Sequence, residues 1–554
     1  MAAVSAAAIE QMIRQAQGLA ARGGMREASR TLQDAVTLAP RSAEAHAALG
    51  WVLHQLGEPL RAADALKKSA ALNGTRAETH YLLGTVQQVT GDIDGAIKSF
   101  ERAMALKPSM PDPYGGASSL YERSSQPAKA RQVIERGLKH VPKDAQLRAI
   151  HAGMRLRDGE AEGAKADLQK LIAQTNPEDV PALVRAWHNM GQTLDKLGEF
   201  DASFAAFARC NQLRETMPQA VWALQNDNVT GFIRAQRSIT KEQCERWAKE
   251  EPQDGLPSPA FLVGFPRSGT TLIEQVLGAH PKVVATPERH MLLFPQAMLE
   301  QLARAGGGAA ADDAAVVACL DALTPDHLRA LRAEYWKHAE REIGGAGAGA
   351  GGAEAGGAGA GAGGAGKQEP IGDRLLVDKY PVHVGRLGLI NRLFPRAKVM
   401  VALRDPRDCC LSAFMQYFQH NPAMVKFLRL DTTARFYAEL IGLYLELRDR
   451  LTTPLLAFRY EDVVADAEGQ ARSLLNFLEL EWDEKVLSPE ERAKSRYVNT
   501  PSWNATSSKI NAGAKGRWTK YRKHLEPILG ELEGFVKEFG YVPSFEPGSA
   551  EVPS

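Results

Sequence analysis

Cysteine is scarce and its spacing empty of pattern: the 554-residue chain has five, at Cys210, Cys244, Cys319, Cys409 and Cys410, an odd number without metal-ligand or framework spacing. That excludes a disulfide-stapled fold and leads us to expect a reducing compartment. Surplus charge is equally absent, with 67 Lys and Arg against 66 Asp and Glu, so bulk electrostatic binding of nucleic acid is not expected. Long apolar runs are missing too. The one stretch of small residues long enough to span a bilayer is a Gly/Ala tract that Glu354 interrupts and whose glycines disfavour a helix. The opening MAAVSAAAIEQMIRQ places Glu10 and Arg14 where a signal-peptide core would need apolar residues. The expectation is a soluble, cytoplasmic protein without membrane or nucleic-acid partners.

What is present is length and repetition. A chain of 554 residues exceeds what one hydrophobic core organises, so two or more domains are expected. HAALGWVLHQLGEPLRAADALKKSAAL overlays HYLLGTVQQVTGDIDGAIKSFERAMAL at a shift of 34 residues, with His46 matching His80, Gly50 matching Gly84, Gly57 matching Gly91 and Leu72 matching Leu106. Each unit holds two segments of helical periodicity joined at a Gly-containing turn and often closed by a proline such as Pro40, Pro108 or Pro142. This helical hairpin resembles the tetratricopeptide repeat. Clear units surround residues 43–108, degenerate ones flank them, and AWHNMGQTLDKLGEFDASFAAFARC forms a last hairpin. The resemblance implies a stacked array whose groove binds a peptide or partner protein, or an array that supports or dimerises the other half of the chain. His46 and His80 are read as packing residues.

From Pro257 the pattern changes to short apolar runs alternating with helical segments, the mark of βαβ construction. The expected organisation is a helical repeat array over residues 1–215, a helical connector over 216–257 and an α/β domain with a central parallel sheet over 258–545. The Gly/Ala tract at 344–366 should be a flexible insertion in that domain.

Two motifs in this half carry chemistry. PAFLVGFPRSGTTLIEQVLGAHP reads as a buried strand, a Gly-containing loop and a helix, which together aim backbone N–H groups at an anion. Gly264, Gly269 and Thr271 approach the GxxxxGK[ST] nucleotide loop, but Thr270 stands where Lys is required, and no second acidic strand motif supplies a Mg²⁺ site; both argue against an ATP-dependent phosphotransferase. In AKVMVALRDPRDCCLSAFMQYF a strand delivers Arg404, and Asp405-Pro406 opens a helix carrying Ser412, so guanidinium and hydroxyl can meet on one phosphate.

Taken together, these motifs resemble the sulfotransferases that use 3'-phosphoadenosine-5'-phosphosulfate (PAPS), in particular the tyrosylprotein sulfotransferases. The resemblance implies a P-loop-like fold, PAPS as co-substrate and adenosine 3',5'-bisphosphate as product, with no metal. It assigns the 5'-phosphosulfate to Arg267, Ser268, Gly269, Thr270 and Thr271, with Arg267 also opposing charge on the transferred group, and the 3'-phosphate to Arg404 and Ser412. AGAKGRWTKYRKHL resembles a nucleotide-covering segment and makes Lys515 and Arg517 candidates for closing over the ligand; the preceding TPSWNATSSK has Ala505 where a polar residue is expected. Tyr460, Glu461 and Asp462 match a turn taken as structural.

Sulfuryl transfer to a hydroxyl needs a base and a cation at the leaving phosphate. The resemblance places the base in ATPERHMLLF at Glu288, with His290 as its rival, and the cation in VDKYPVHVGRLGLI at Lys379, followed by Tyr380 where the family has Met. The acceptor stays open between protein tyrosine, a glycan and a small molecule. The competing readings are a non-catalytic repeat scaffold with a degenerate nucleotide-binding domain and, less favoured, the phosphotransferase.

Overall fold

A computed structural model describes residues 5–227, 229–305, 312–343, 371–488 and 515–544. The Gly/Ala insertion and the TPSWNATSSK segment lie outside the described residues. By its internal contacts the chain divides into two compact units, with the boundary between Thr193 and Leu194.

The first unit is built from helical hairpins: Ala6–Ala21 with Met25–Leu38, Ala43–Gln55 with Pro59–Leu72, Ala77–Thr90 with Ile93–Leu106, Asp112–Arg123 with Pro127–His140, and Ala145–Arg157 with Ala161–Gln174. The 34-residue period reaches further than residue identity does. The turns of successive hairpins carry a left-handed residue at Gly23, Gly57, Gly91, Ser125 and Gly159, the conformation that ends one helix and lets the next fold back. Within the hairpins a small residue admits a large one: a Cβ on Gly50 would lie 2.5 Å from Leu66, and one on Gly84 would lie 2.8 Å from Phe100.

His46 and His80 are structural residues, as their spacing suggested. His46 Nε2 donates to the Pro40 carbonyl (3.1 Å), His80 Nε2 to the Gly74 carbonyl (3.2 Å), and 34 residues on Tyr114 OH donates to the Pro108 carbonyl (3.1 Å). Each ties its helix to the carbonyl of a loop residue six positions before it, one residue past the cap of the preceding helix.

The second unit centres on a five-stranded parallel sheet of order β2-β3-β1-β4-β5, where β1 is Ala260–Gly264, β2 Val283–Thr286, β3 Leu375–Lys379, β4 Lys398–Leu403 and β5 Leu455–Arg459. β1 and β4 are continuous apolar runs because both sheet faces are covered. Phe261, Val263, Val399 and Val401 enter one core, and Ala260, Leu262, Met400 and Ala402 enter the other, the period-two alternation of a pleated strand. The chain runs from β1 outward to β2 and β3 and later to β4 on the other side. This makes the carboxyl end of β1 a topological switch point, where parallel sheets open a crevice for ligands.

The helix Phe200–Glu215 belongs to this second unit. Asn211 Nδ2 donates to the Phe414 carbonyl at 2.9 Å, Arg214 bonds the Phe418 carbonyl, and the Phe204 ring stacks on Phe414 with centroids 5.1 Å apart.

Candidate active site

β1 delivers the chain into the loop Phe265–Gly269, and the helix Thr270–Gly278 starts directly behind it. Arg267 and Gly269 take positive φ, 75° and 98°. Gly269 is dictated by both conformation and space, since a Cβ there would lie 2.6 Å from the Tyr460 ring. The start of this helix leaves N–H groups without an intrahelical acceptor, the usual seat of an anion. Ser268, Thr270 and Thr271 are buried, and the Ser268 hydroxyl has no hydrogen-bond partner among the described residues. A buried donor left open in a cradle of backbone amides fits an oxyanion such as the 5'-phosphosulfate of PAPS.

β4 delivers Arg404 beside this loop. Its Nη1 donates to the Arg267 carbonyl at 3.0 Å, its guanidinium lies 5.0 Å from the Tyr460 ring, and Asp408 is 3.7 Å away. Arg267 Nε donates to Ser412 Oγ at 3.0 Å. Thus Arg267, Arg404 and Ser412, predicted from two motifs 137 residues apart or more, occupy one patch. Burial and the neighbouring charges of Arg404 and Arg517 push the Arg267 guanidinium down to about 10. Cations crowded in this way favour a polyanion, which relieves their repulsion.

Arg517 lies near enough to Arg267 to act on its charge, but it pairs directly with Asp195 at 2.7 Å. Lys515 is exposed at the start of this segment. The segment is anchored through its backbone: the N–H groups of Gly516 and Trp518 donate to Asp408 at 2.7 and 2.8 Å, and the Arg407 guanidinium sits 3.9 Å from the Trp518 ring.

β3 ends in Lys379, whose side chain is 0% exposed and whose Nζ lies 3.1 Å from Glu288 Oε1 and 3.1 Å from Glu274 Oε2. Burial alone would push this ammonium down, but the two carboxylates outweigh it and its pKa is raised. Glu288 keeps a third of its side chain exposed, so it can meet both Lys379 and an incoming acceptor. His290 Nε2 lies 3.3 Å from the Tyr380 hydroxyl, and surrounding protein with the Arg386 charge lowers its imidazole to about 4. On the opposite side of β3, Tyr335 OH donates to Asp378 Oδ2 at 3.0 Å, and burial pushes the Asp378 carboxyl up to about 7.

Residues 259–484 match the model of the Sulfotransferase family, and residues 13–77, 90–153 and 184–216 match tetratricopeptide repeat models. The chain couples tetratricopeptide repeats to a sulfotransferase-family domain. The chain is 24% identical over 405 residues to an uncharacterized protein of Aquifex aeolicus, across 71% of this chain and 48% of that one. It therefore spans about half the length of that relative. It is also 24% identical over 302 residues to protein-tyrosine sulfotransferase 1 of Danio rerio, across 52% of this chain and 73% of that one. A solved structure titled "Functional Characterization of Pseudomonas Aeruginosa pilF" covers 39% of this chain and 96% of its own at 19% identity, with a TM-score of 0.32.

Three residues at the site of this sulfotransferase-family domain escaped the sequence reading as functional candidates. Glu274 sits one helical turn after Thr270 in the matched loop, and only the position of β3 beside the loop helix reveals its partner. Tyr460, read as part of a structural turn, borders both Gly269 and Arg404. Asp408 had a visible signal, an acidic residue four positions after Arg404, but its bonds to Gly516 and Trp518 span more than 100 residues. Among the described residues no group of His, Cys, Asp and Glu could hold a metal ion, and no helix is long and apolar enough to cross a membrane.

Proposed function

We propose that the second unit transfers the sulfuryl group of PAPS to a hydroxyl acceptor. The observation that carries this reading is the meeting of Arg267, Arg404 and Ser412 around a loop whose buried Ser268 hydroxyl is open, with Lys379 at the end of the adjacent strand β3 and Glu288 just beyond β2. PAPS, when bound, supplies an activated sulfuryl group on a phosphate leaving group. Arg267, Ser268, Thr270, Thr271 and the amides at Gly269 hold the 5' end. Arg404 and Ser412 grip the 3'-phosphate, and Arg517 with Lys515 contributes charge from the covering segment.

Glu288 takes the proton of the acceptor hydroxyl as its oxygen attacks, and a positioned base of this kind is worth about 10²–10⁴-fold in rate. Lys379, buried and charged, steadies the oxygen that leaves. His290 stays the rival base, but its Nε2 faces the Tyr380 hydroxyl at 3.3 Å, whereas Glu288 stands beside Lys379. Likeness to a protein-tyrosine sulfotransferase makes a tyrosine hydroxyl one acceptor class beside glycan and small-molecule hydroxyls. We assign the repeat array to holding a peptide or protein partner, with dimerisation as the alternative role, and the five free cysteines agree with a reducing, cytoplasmic setting.

Calorimetric titration with adenosine 3',5'-bisphosphate and with ADP, both without metal, tests this reading. The bisphosphate should bind at least about tenfold more tightly than ADP, and Arg404→Ala should abolish the preference by removing charge-assisted bonds. Equal binding, or a preference for ADP, would sink it. A degenerate, non-catalytic domain would bind the bisphosphate yet show no transfer that depends on Glu288.

A further inference from the structure

Lys379 is held by two carboxylates, although one is enough to neutralise it. Nζ lies 3.1 Å from Glu288 Oε1, which the proposed chemistry uses, and 3.1 Å from Glu274 Oε2, which it does not. Glu274 is on the loop helix Thr270–Gly278 and its side chain is 17% exposed, so the second pairing lies deeper in the protein than the first, where Glu288 is 33% exposed. These two carboxylates are the charged groups that face Lys379; Arg267 acts on the group through Glu288.

The charge balance of one turnover shows what the second carboxylate does. Before reaction the three groups sum to one negative charge. As the acceptor oxygen bonds to sulfur, its O–H bond breaks and the proton passes to Glu288; the bond between sulfur and the bridging oxygen breaks, and its electron pair stays on the phosphate. Glu288 is then neutral. If it were the only partner, the fully buried ammonium would keep only the charge arriving on the departing oxygen, with no protein carboxylate to hold it in place as that phosphate leaves. With Glu274 present the ammonium keeps a counter-charge throughout.

We propose that Glu274 is a positioning residue for sulfuryl transfer, holding Lys379 charged and aimed while Glu288 changes its protonation state. The inference rests on the sulfotransferase reading above. Glu274 does not touch the reacting atoms. It acts through Lys379, so its loss should appear in kcat and in the alkaline limb of the rate profile, with little effect on nucleotide affinity. Without it, burial is opposed by one carboxylate in place of two, the ammonium is lost at lower pH, and the alkaline limb moves down.

The test compares wild type, Glu274→Gln and Glu274→Asp. Glu274→Gln should lower kcat about 10- to 100-fold, within the usual range for one electrostatic stabiliser. It should leave adenosine 3',5'-bisphosphate affinity within about threefold and move the alkaline limb down by about one pH unit or more; Glu274→Asp should recover part of both. A second readout needs no turnover. Trace acylation with acetic anhydride across pH, read at Lys379 by mass spectrometry, should show the amine reacting at lower pH in Glu274→Gln than in wild type. Unchanged labelling and an unchanged limb would overturn the inference. Failure of wild type to bind the bisphosphate would instead sink the sulfotransferase reading, while the labelling still decides whether Glu274 holds Lys379 charged. Should Glu274→Gln not fold, Glu274→Gln with Lys379→Met is expected to regain the wild-type melting profile, because removing both partners of a buried pair is near neutral; a double variant that stays unfolded would overturn it.

Discussion

Asp378 and Ser125 are both held in states their side chains do not prefer, and both make predictions that need no ligand. Burial raises the Asp378 carboxyl from 3.8 to about 7, partly opposed by the hydrogen bond from Tyr335. A folded pKa above the unfolded one means the folded chain binds the extra proton. The associated stability is complete below about pH 4 and is lost progressively up to about pH 7, by about 4 kcal/mol for a shift of about three units. Chemical denaturation across pH should show that decline in wild type and its loss in Asp378→Asn; parallel curves would refute it. Ser125 has φ 57° at a turn position where Gly23, Gly57, Gly91 and Gly159 stand in the other hairpins. Ser125→Gly should raise stability by about 1 kcal/mol, seen as a higher denaturation midpoint of the repeat unit. At this scale the sequence was most legible where a local motif sets the direction of a side chain. Arg267, Arg404 and Ser412 were readable because strand-loop-helix geometry fixes their direction. Glu274 and Asp408 were not, since their partners are set by which strands and segments become neighbours.

At the scale of elements, the helix Pro406–Met415 joins the proposed phosphate site to the segment that begins at Lys515. Asp408 receives two backbone N–H groups from the Gly516–Trp518 turn while standing 3.7 Å from Arg404. Asp408→Ala would leave both amides open and should lower stability by about 1–3 kcal/mol. Hydrogen exchange should show lost protection at Gly516 and Trp518 with the helix Arg522–Glu538 still protected; a uniform loss along both segments would refute this anchoring. The helix Phe200–Glu215, part of a segment that matches a tetratricopeptide repeat, shows what periodicity leaves open. Its spacing continues the repeat pattern, yet its contacts are with Phe414, Phe418 and the Tyr521 hydroxyl, which bonds Ser203. Helical periodicity says which face is apolar and is silent about what covers it. The parallel order β2-β3-β1-β4-β5 was likewise open from the chain alone, although the buried strands were plain.

At the scale of the whole molecule, the repeat unit and the sulfotransferase-family unit hold separate hydrophobic clusters. Scanning calorimetry should therefore resolve two transitions. Adenosine 3',5'-bisphosphate at about 100 times its Kd should stabilise one of them by about 2.7 kcal/mol and leave the other in place; equal movement of both would show that the units melt as one. The backbone of Arg267 has a different bearing. Its left-handed conformation would suit glycine, yet the proposed chemistry needs the guanidinium at that place. Position 267 is thus where resistance to heat and transfer pull in opposite directions. Laboratory evolution for heat resistance alone would admit glycine there and return a sturdier protein that no longer turns over, so any stabilised variant should first be checked at this codon.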